Sequence, residues 1–191
     1  GKNQDIRYSE QKTELARSFC TKLWNASRFV LMNLDDTVTG ELPAQESLAS
    51  ADLWILSRLN TTIGEVNKYL ASYDMDDATR SLYRFLWDDY CDWYLEMLKP
   101  RFRSAEQRGV AQRCLVVVVD ALLRLLHPFA PFITEELWHK LNEVAPLRGL
   151  AEPAAGSSSV MIASWPQAQL ERIDEVLERR FERLQQTIAA V

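Results

Sequence analysis

Within residues 15–30, LARSFCTKLWNASRFV, the side chains Ser18, Lys22, Asn25 and Phe29 recur at steps of four, three and four, and Arg17, Thr21, Trp24 and Arg28 repeat that spacing. On a helix each set forms one stripe, and the two stripes adjoin. Together they hold three cations, two large aromatics and the hydrogen-bonding groups of Ser18, Thr21 and Asn25, with no carboxylate among them. A solvated helix face normally mixes Glu with Lys. Cations neutralise phosphate, an aromatic face stacks on an unpaired base, and an amide hydrogen-bonds a base edge, so this set suits single-stranded nucleic acid. The same residues also fit a plainer arrangement, in which Trp24 and Phe29 lie under a neighbouring helix and Lys22 and Arg28 snorkel over them. The pattern leaves both open.

Catalytic chemistry is harder to find. Neither His127 nor His139 has a Cys, Asp or second His at ligand spacing, which argues against a metal site. Asp88, Asp92 and Glu96 follow one another at i, i+4 and i+8, yet the Glu-x-x-His partner used by two-metal bundles is missing. Like charges so placed repel, which calls for cations to answer them. No glycine-rich phosphate loop, nucleophile elbow or Cys-His pair is recognisable, so the chain reads as one that binds.

The elements that must position these residues are helical. Six Gly and seven Pro in 191 residues leave room for long helices, and 47% hydrophobic composition suffices for a sizeable core. A first helix is expected from a Ser9 cap to about Asn33, with Leu15, Phe19, Leu23, Ala26 and Val30 on its core stripe. A loop over 35–45 precedes a second helix over about 51–72, where Leu56, Leu59, Ile63, Val66 and Leu70 mark the buried face and Gly64 suggests close packing. The third, over 78–99, carries the densest aromatic patch, from Tyr83 to Tyr94, and is expected to stop at Pro100. A fourth over about 105–126 is apolar nearly all round and should be central; Pro131 and Thr134 begin a fifth that reaches Leu141. Residues 144–159, with two Pro, two Gly and three consecutive Ser, read as a mobile surface loop, and 160–165 as a short extended segment. In the tail, Leu170, Ile173, Leu177, Phe181, Leu184, Ile188 and Val191 alternate steps of three and four, the spacing of a coiled-coil seam or of a helix packed back on the bundle. The fold class is therefore all-α, an antiparallel helix bundle over 1–166 with a C-terminal amphipathic helix over 167–191.

A net charge of −5 counts against generalised nucleic-acid binding and confines any such contact to a local face. Cys20, Cys91 and Cys114 show no paired spacing, which fits free thiols in the cytoplasm. No signal peptide and no apolar run long enough to span a bilayer is present. The chain opens without Met in a polar run, as expected of a piece of something longer or of a processed N-terminus.

Several of these segments resemble one family. NQDIR at 3–7, ARSFCTKLWNASRFVLMNL at 16–34, DLWILSRLN at 52–60, FLWDDYCDWYLEMLKPR at 85–101, LLRLLHPFAPFITEELWHKL at 122–141 and MIASWP at 161–166 look, in this order, like the anticodon-binding helical bundle of valyl-tRNA synthetases. The isoleucyl and leucyl enzymes share the HPFAPFITEELW ending; the run KLWNASRFVLMNL points to the valyl branch. The resemblance implies that the bundle grips the anticodon loop of valine tRNA while a separate Rossmann-type catalytic domain activates the amino acid with ATP and Mg. The family's His-Ile-Gly-His and Lys-Met-Ser-Lys-Ser signatures are nowhere in these residues, so no catalytic residue or cofactor is expected in this segment. It further implies base and phosphate contacts for Lys22, Arg28 and Phe29, with Phe29 as a stacking platform. Asn25 is expected to read a base edge, Arg17 to meet phosphate, Trp24 to share the face, and Arg101 and Arg103 to touch the tRNA backbone. Asp92 and Glu96 are expected to pair with cations across the bundle. The tail would begin, or connect to, a coiled-coil arm.

Overall fold

The computed structural model describes residues 9–34, 41–150 and 152–190. The NQDIR motif, most of the first loop and Val191 lie outside them. Seven α-helices carry the fold among the described residues: α1 (Glu10–Asn33), α2 (Ser50–Ala71), α3 (Met75–Arg84), α4 (Leu95–Arg101), α5 (Ala105–Leu126), α6 (Pro131–Val144) and α7 (Glu175–Ala189). A π-helical stretch, Phe85–Tyr94, joins α3 to α4 without a break in helical backbone, so the three make one rod. Three-residue turns join this rod to α2 and to α5, which makes neighbours antiparallel.

The central position of α5 follows from its sequence. Every residue from 114 to 123 is buried, so this helix is enclosed on all sides, against α1, α2, α4 and α6. Around it Leu23, Ala26 and Val30 from α1, Ile55, Leu59 and Ile63 from α2, Phe85, Tyr90 and Tyr94 from the π-helical stretch, and Leu137 and Trp138 from α6 close one core.

Five expectations need correction. Leu15 is 65% exposed, because α1 reaches the core only from Phe19 onward. A Cβ at Gly64 would meet nothing within 4 Å, so close packing does not explain that residue. Pro100 does not stop the helix ahead of itself: it sits inside the last turn of α4, which runs on to Arg101, and without an N–H it gives the Glu96 carbonyl no i→i−4 bond. The segment 160–165 is not extended: Val160–Ile162 is a turn of 3-10 helix capped by the Ser159 hydroxyl, which accepts from Met161 N at 3.1 Å.

The fifth concerns 144–159, which is anchored rather than loose. Leu147–Arg148 pairs antiparallel with Ala154–Ala155, and the carbonyl of Ser157 accepts from Trp138 Nε1 (2.8 Å) and Asn142 Nδ2 (3.1 Å). Fully buried Arg148 donates to Asp120 of α5 (2.8 Å) and to the Ala145 carbonyl (2.8 Å), with its guanidinium 4.2 Å from the Trp138 ring centroid. A paired, stacked Arg is a strong anchor for a segment of such loop-like composition.

The tail packs back on the bundle for half its length. Phe181 stacks on Trp54 at 4.8 Å, and Glu178 accepts hydrogen bonds from Ser57, Thr61 and Arg58. Further along α7, Leu184 and Ile188 are exposed.

Candidate nucleic-acid interface

α1 holds the expected binding residues at fixed angles because Leu23, Ala26 and Val30 pin it to the core. The two stripes read from the sequence then diverge. Lys22 and Phe29 turn toward the rod of α3 and α4, whereas Trp24 and Arg28 turn toward α6. Between them Arg17, Ser18, Thr21 and Asn25 lie exposed with Glu14, a carboxylate one turn upstream, beside them. Arg17 and Arg28 make no ion pair among the described residues, so their charge is available to an outside anion.

On the first flank Lys22 donates to Asp92 Oδ1 at 2.7 Å, and its ammonium stands 3.8 Å from the Trp87 ring centroid. Tyr83 stacks on Trp87 (5.3 Å) and Phe19 on Tyr83 (5.7 Å), making a ladder of three rings between the two helices. Burial, and then the Asp92 carboxylate, push Asp88 above the ordinary carboxylate range against the pull of Arg84 and Lys22. Burial also pushes the Cys91 thiol up to about 12, so it stays protonated and is no nucleophile. Phe29 is half-buried against the core, its ring 6.0 Å from Phe102.

The second flank is a groove of about 290 Å³ lined by Trp24, Arg28, Leu31, Met32, Leu137 and Lys140. Trp24 is 40% exposed there, beside two cations.

Of the cation partners expected across the bundle, Asp92 meets Lys22, whereas Glu96 pairs with Lys99 three residues along its own helix. Arg103 is exposed. Arg101 is a correction: it is only 8% exposed, and its Nη1 donates to fully buried Asp52 at 2.7 Å. Asp52 also accepts from Tyr94 Oη (2.9 Å) and, at the first turn of α2, from Ala49 N (3.0 Å). That carboxylate answers three donors inside the bundle, which takes Arg101 off the surface.

The sequence pattern missed Tyr83 and Trp87 at the interface. Both belong to a patch legible as aromatic; Tyr83 lies in α3, whereas Trp87 lies in the run FLWDDYCDWY, where the i→i+5 bonding of the π-helical stretch widens each turn and redistributes residues that an α-helical period assigns to one face. Lys140 carries no signal in the sequence that would bring it to Trp24.

Comparison with known proteins gives the family and the fold. A family model described as the anticodon-binding domain of tRNA ligase matches residues 52–191. Valine–tRNA ligases of Thermotoga maritima (47% identical over 188 residues, 98% of this chain and 20% of theirs), Rhodopirellula baltica (45% over 181 residues, 95% and 17%) and Aquifex aeolicus (37% over 201 residues, 98% and 16%) are similar to it. The chain thus spans about a fifth of the length of these relatives. Among solved structures, LeuRS of Agrobacterium radiobacter K84, in a ternary complex with tRNA and LeuAMS, has the same fold, with a TM-score of 0.59 at 18% identity over 88% of this chain and 18% of that one.

Proposed function

The chain belongs to the family of anticodon-binding domains of tRNA ligases, and from that membership we propose that it is the part of a valine–tRNA ligase that grips the anticodon loop of valine tRNA in the cytoplasm. ATP, Mg and the ligation step belong to a catalytic domain elsewhere in the parent chain. Residues 1–166 are the gripping unit and 167–191 lead into an arm, a reading supported by α7 docking through Phe181 and then exposing Leu184 and Ile188.

The observation that carries the reading is the strip of α1 on which Arg17, Asn25 and Arg28 stand exposed, the two arginines without ion pairs among the described residues, flanked by aromatic rings on both sides. In a chain of net charge −5, such a local cationic strip is retained where a polyanion docks. Arg17 and Arg28 neutralise phosphates, Asn25 reads a base edge, and Lys22, Trp24 and Phe29 flank the unpaired nucleotides, with Arg103 at the margin. Electrostatics supply affinity and the unpaired bases supply specificity.

Binding to valine tRNA transcripts, with the anticodon intact or replaced, tests it. Affinity should depend on the anticodon and fall steeply with salt. Equal binding of every anticodon, or of isoleucine and leucine tRNAs, overturns the valine assignment. Self-association through Leu184 and Ile188 without RNA binding would make the chain a protein scaffold instead.

A further inference from the structure

The Phe19, Tyr83 and Trp87 ladder ends in a cation. Tyr83 stacks on Trp87 in an offset arrangement at 5.3 Å, and the Lys22 ammonium stands 3.8 Å from the centroid of the same ring. That separation is about what the next ring of the stack would adopt, since carbon atoms pack at roughly 3.5–4.0 Å. The ammonium holds this place with two contacts that are cheap to exchange. Its ion pair with Asp92 is partly solvated, the two side chains being 22% and 50% exposed, and half-solvated pairs contribute little. Its cation–π contact is replaced in kind when another flat, polarisable group takes the ring.

The charges around the ladder give a ligand one orientation. Arg17 belongs to α1, on the side from which Lys22 reaches across, with Glu14 the one carboxylate beside it, whereas Asp88 and Asp92, against the single Arg84, belong to the rod that carries Trp87. A phosphate is therefore drawn to the α1 side and repelled from the other. A base whose phosphate sits on α1 presents its edge to the carboxylates.

We propose that Trp87 is the stacking platform for one unpaired base of the RNA loop, with Lys22 as a place-holder that moves from the ring to the adjoining phosphate and Asp92, so released, accepting from an exocyclic amino group. This rests on the anticodon-loop reading above and adds the class of base: one with an amino group where cytosine carries N4 or adenine N6, in preference to the carbonyl of uracil. The exchange conserves charge, because Lys22 trades a carboxylate for a phosphate and Asp92 trades an ammonium for an amine donor.

The test uses the 191-residue chain, hairpins carrying the anticodon loop of valine tRNA with each loop cytosine or adenine changed in turn, and fluorescence anisotropy. Trp87→Leu should weaken binding about 5- to 150-fold, the range for losing one stacked base, while Trp87→Phe keeps most of the affinity. Asp92→Asn should erase the preference for the amino over the carbonyl base, cytosine over uracil or adenine over inosine, at one loop position and leave the other positions alone. If the parent chain fails to discriminate between loops, the anticodon reading falls and this inference with it. If the parent discriminates and Trp87→Leu binds within roughly twofold of it, the inference alone falls. Should Trp87→Leu unfold, judged by circular dichroism, Asp92→Asn decides: unchanged cytosine-to-uracil and adenine-to-inosine ratios at every position overturn the proposal.

Discussion

Replacing Asp52 by Leu should damage the bundle far more than its single carboxylate suggests. Asp52 is fully buried and accepts from Arg101 at 2.7 Å, from Tyr94 at 2.9 Å and from Ala49 N at 3.0 Å. Its loss strands a guanidinium that is 8% exposed, and breaking a buried pair in this way costs about 3–5 kcal/mol. The lost contact at the start of α2 adds about 1 kcal/mol. The expected total of about 4–6 kcal/mol is a large share of the 5–15 kcal/mol that typically holds a domain together. Because the damage comes from an uncompensated charge, Asp52→Leu with Arg101→Met should recover most of it and stand within about 2 kcal/mol of the parent, as apolar replacements of buried pairs often do. Urea unfolding of the two single variants and the double variant measures the cycle. A cost below about 1.5 kcal/mol for Asp52→Leu, or a double variant that merely sums the singles, would refute the reasoning. Arg101→Met should also leave the salt dependence of RNA binding unchanged, whereas a phosphate-bound Arg would lower that slope by about 0.7.

Gly64→Ala should stabilise by about 0.5–1 kcal/mol in the same assay, since the added methyl meets open space and the backbone is already helical. Tyr73 holds φ at +58° just past α2 with its ring exposed, so Tyr73→Gly should raise Tm through a gain of about 0.5–1 kcal/mol. Gly156→Ala should cost about 1–3 kcal/mol, because its Cβ would overlap Asn142 Oδ1 and stand 2.7 Å from Arg148 Nη1. Burial pushes both the Cys91 and the Cys114 thiols up, Cys91 to about 12, so a thiol reagent at pH 8 should titrate only half-buried Cys20 in the native chain and all three after denaturation.

Most of the helical frame was legible because its periodicity and punctuation agree. The boundaries of α5 match their expectation, with a basic turn before them and His127-Pro128 after. Legibility failed where a single distant partner decides the structure. Nothing in a run rich in Pro, Gly and Ser reveals that Arg148 plugs into Asp120, and nothing in the basic linker separates buried Arg101 from exposed Arg103. In the candidate site, an α-helical wheel places Arg17, Ser18, Thr21 and Asn25 outward, but neither predicted row stays one face: Lys22 and Phe29 turn to the rod and Trp24 and Arg28 to α6. Trp87 was not legible, because it belongs to a π-helical stretch where that wheel loses register.

The central claim is that RNA docks on the exposed strip of α1. The salt dependence of binding to a valine tRNA anticodon hairpin, compared between the parent chain and an Arg17→Gln, Arg28→Gln variant, tests it most directly. Two lost single-strand phosphate contacts should lower the slope of log K against log salt by about 1.4, with Tm unchanged because neither side chain makes an ion pair among the described residues. An unchanged slope would place the RNA on another face of the bundle and contradict the account.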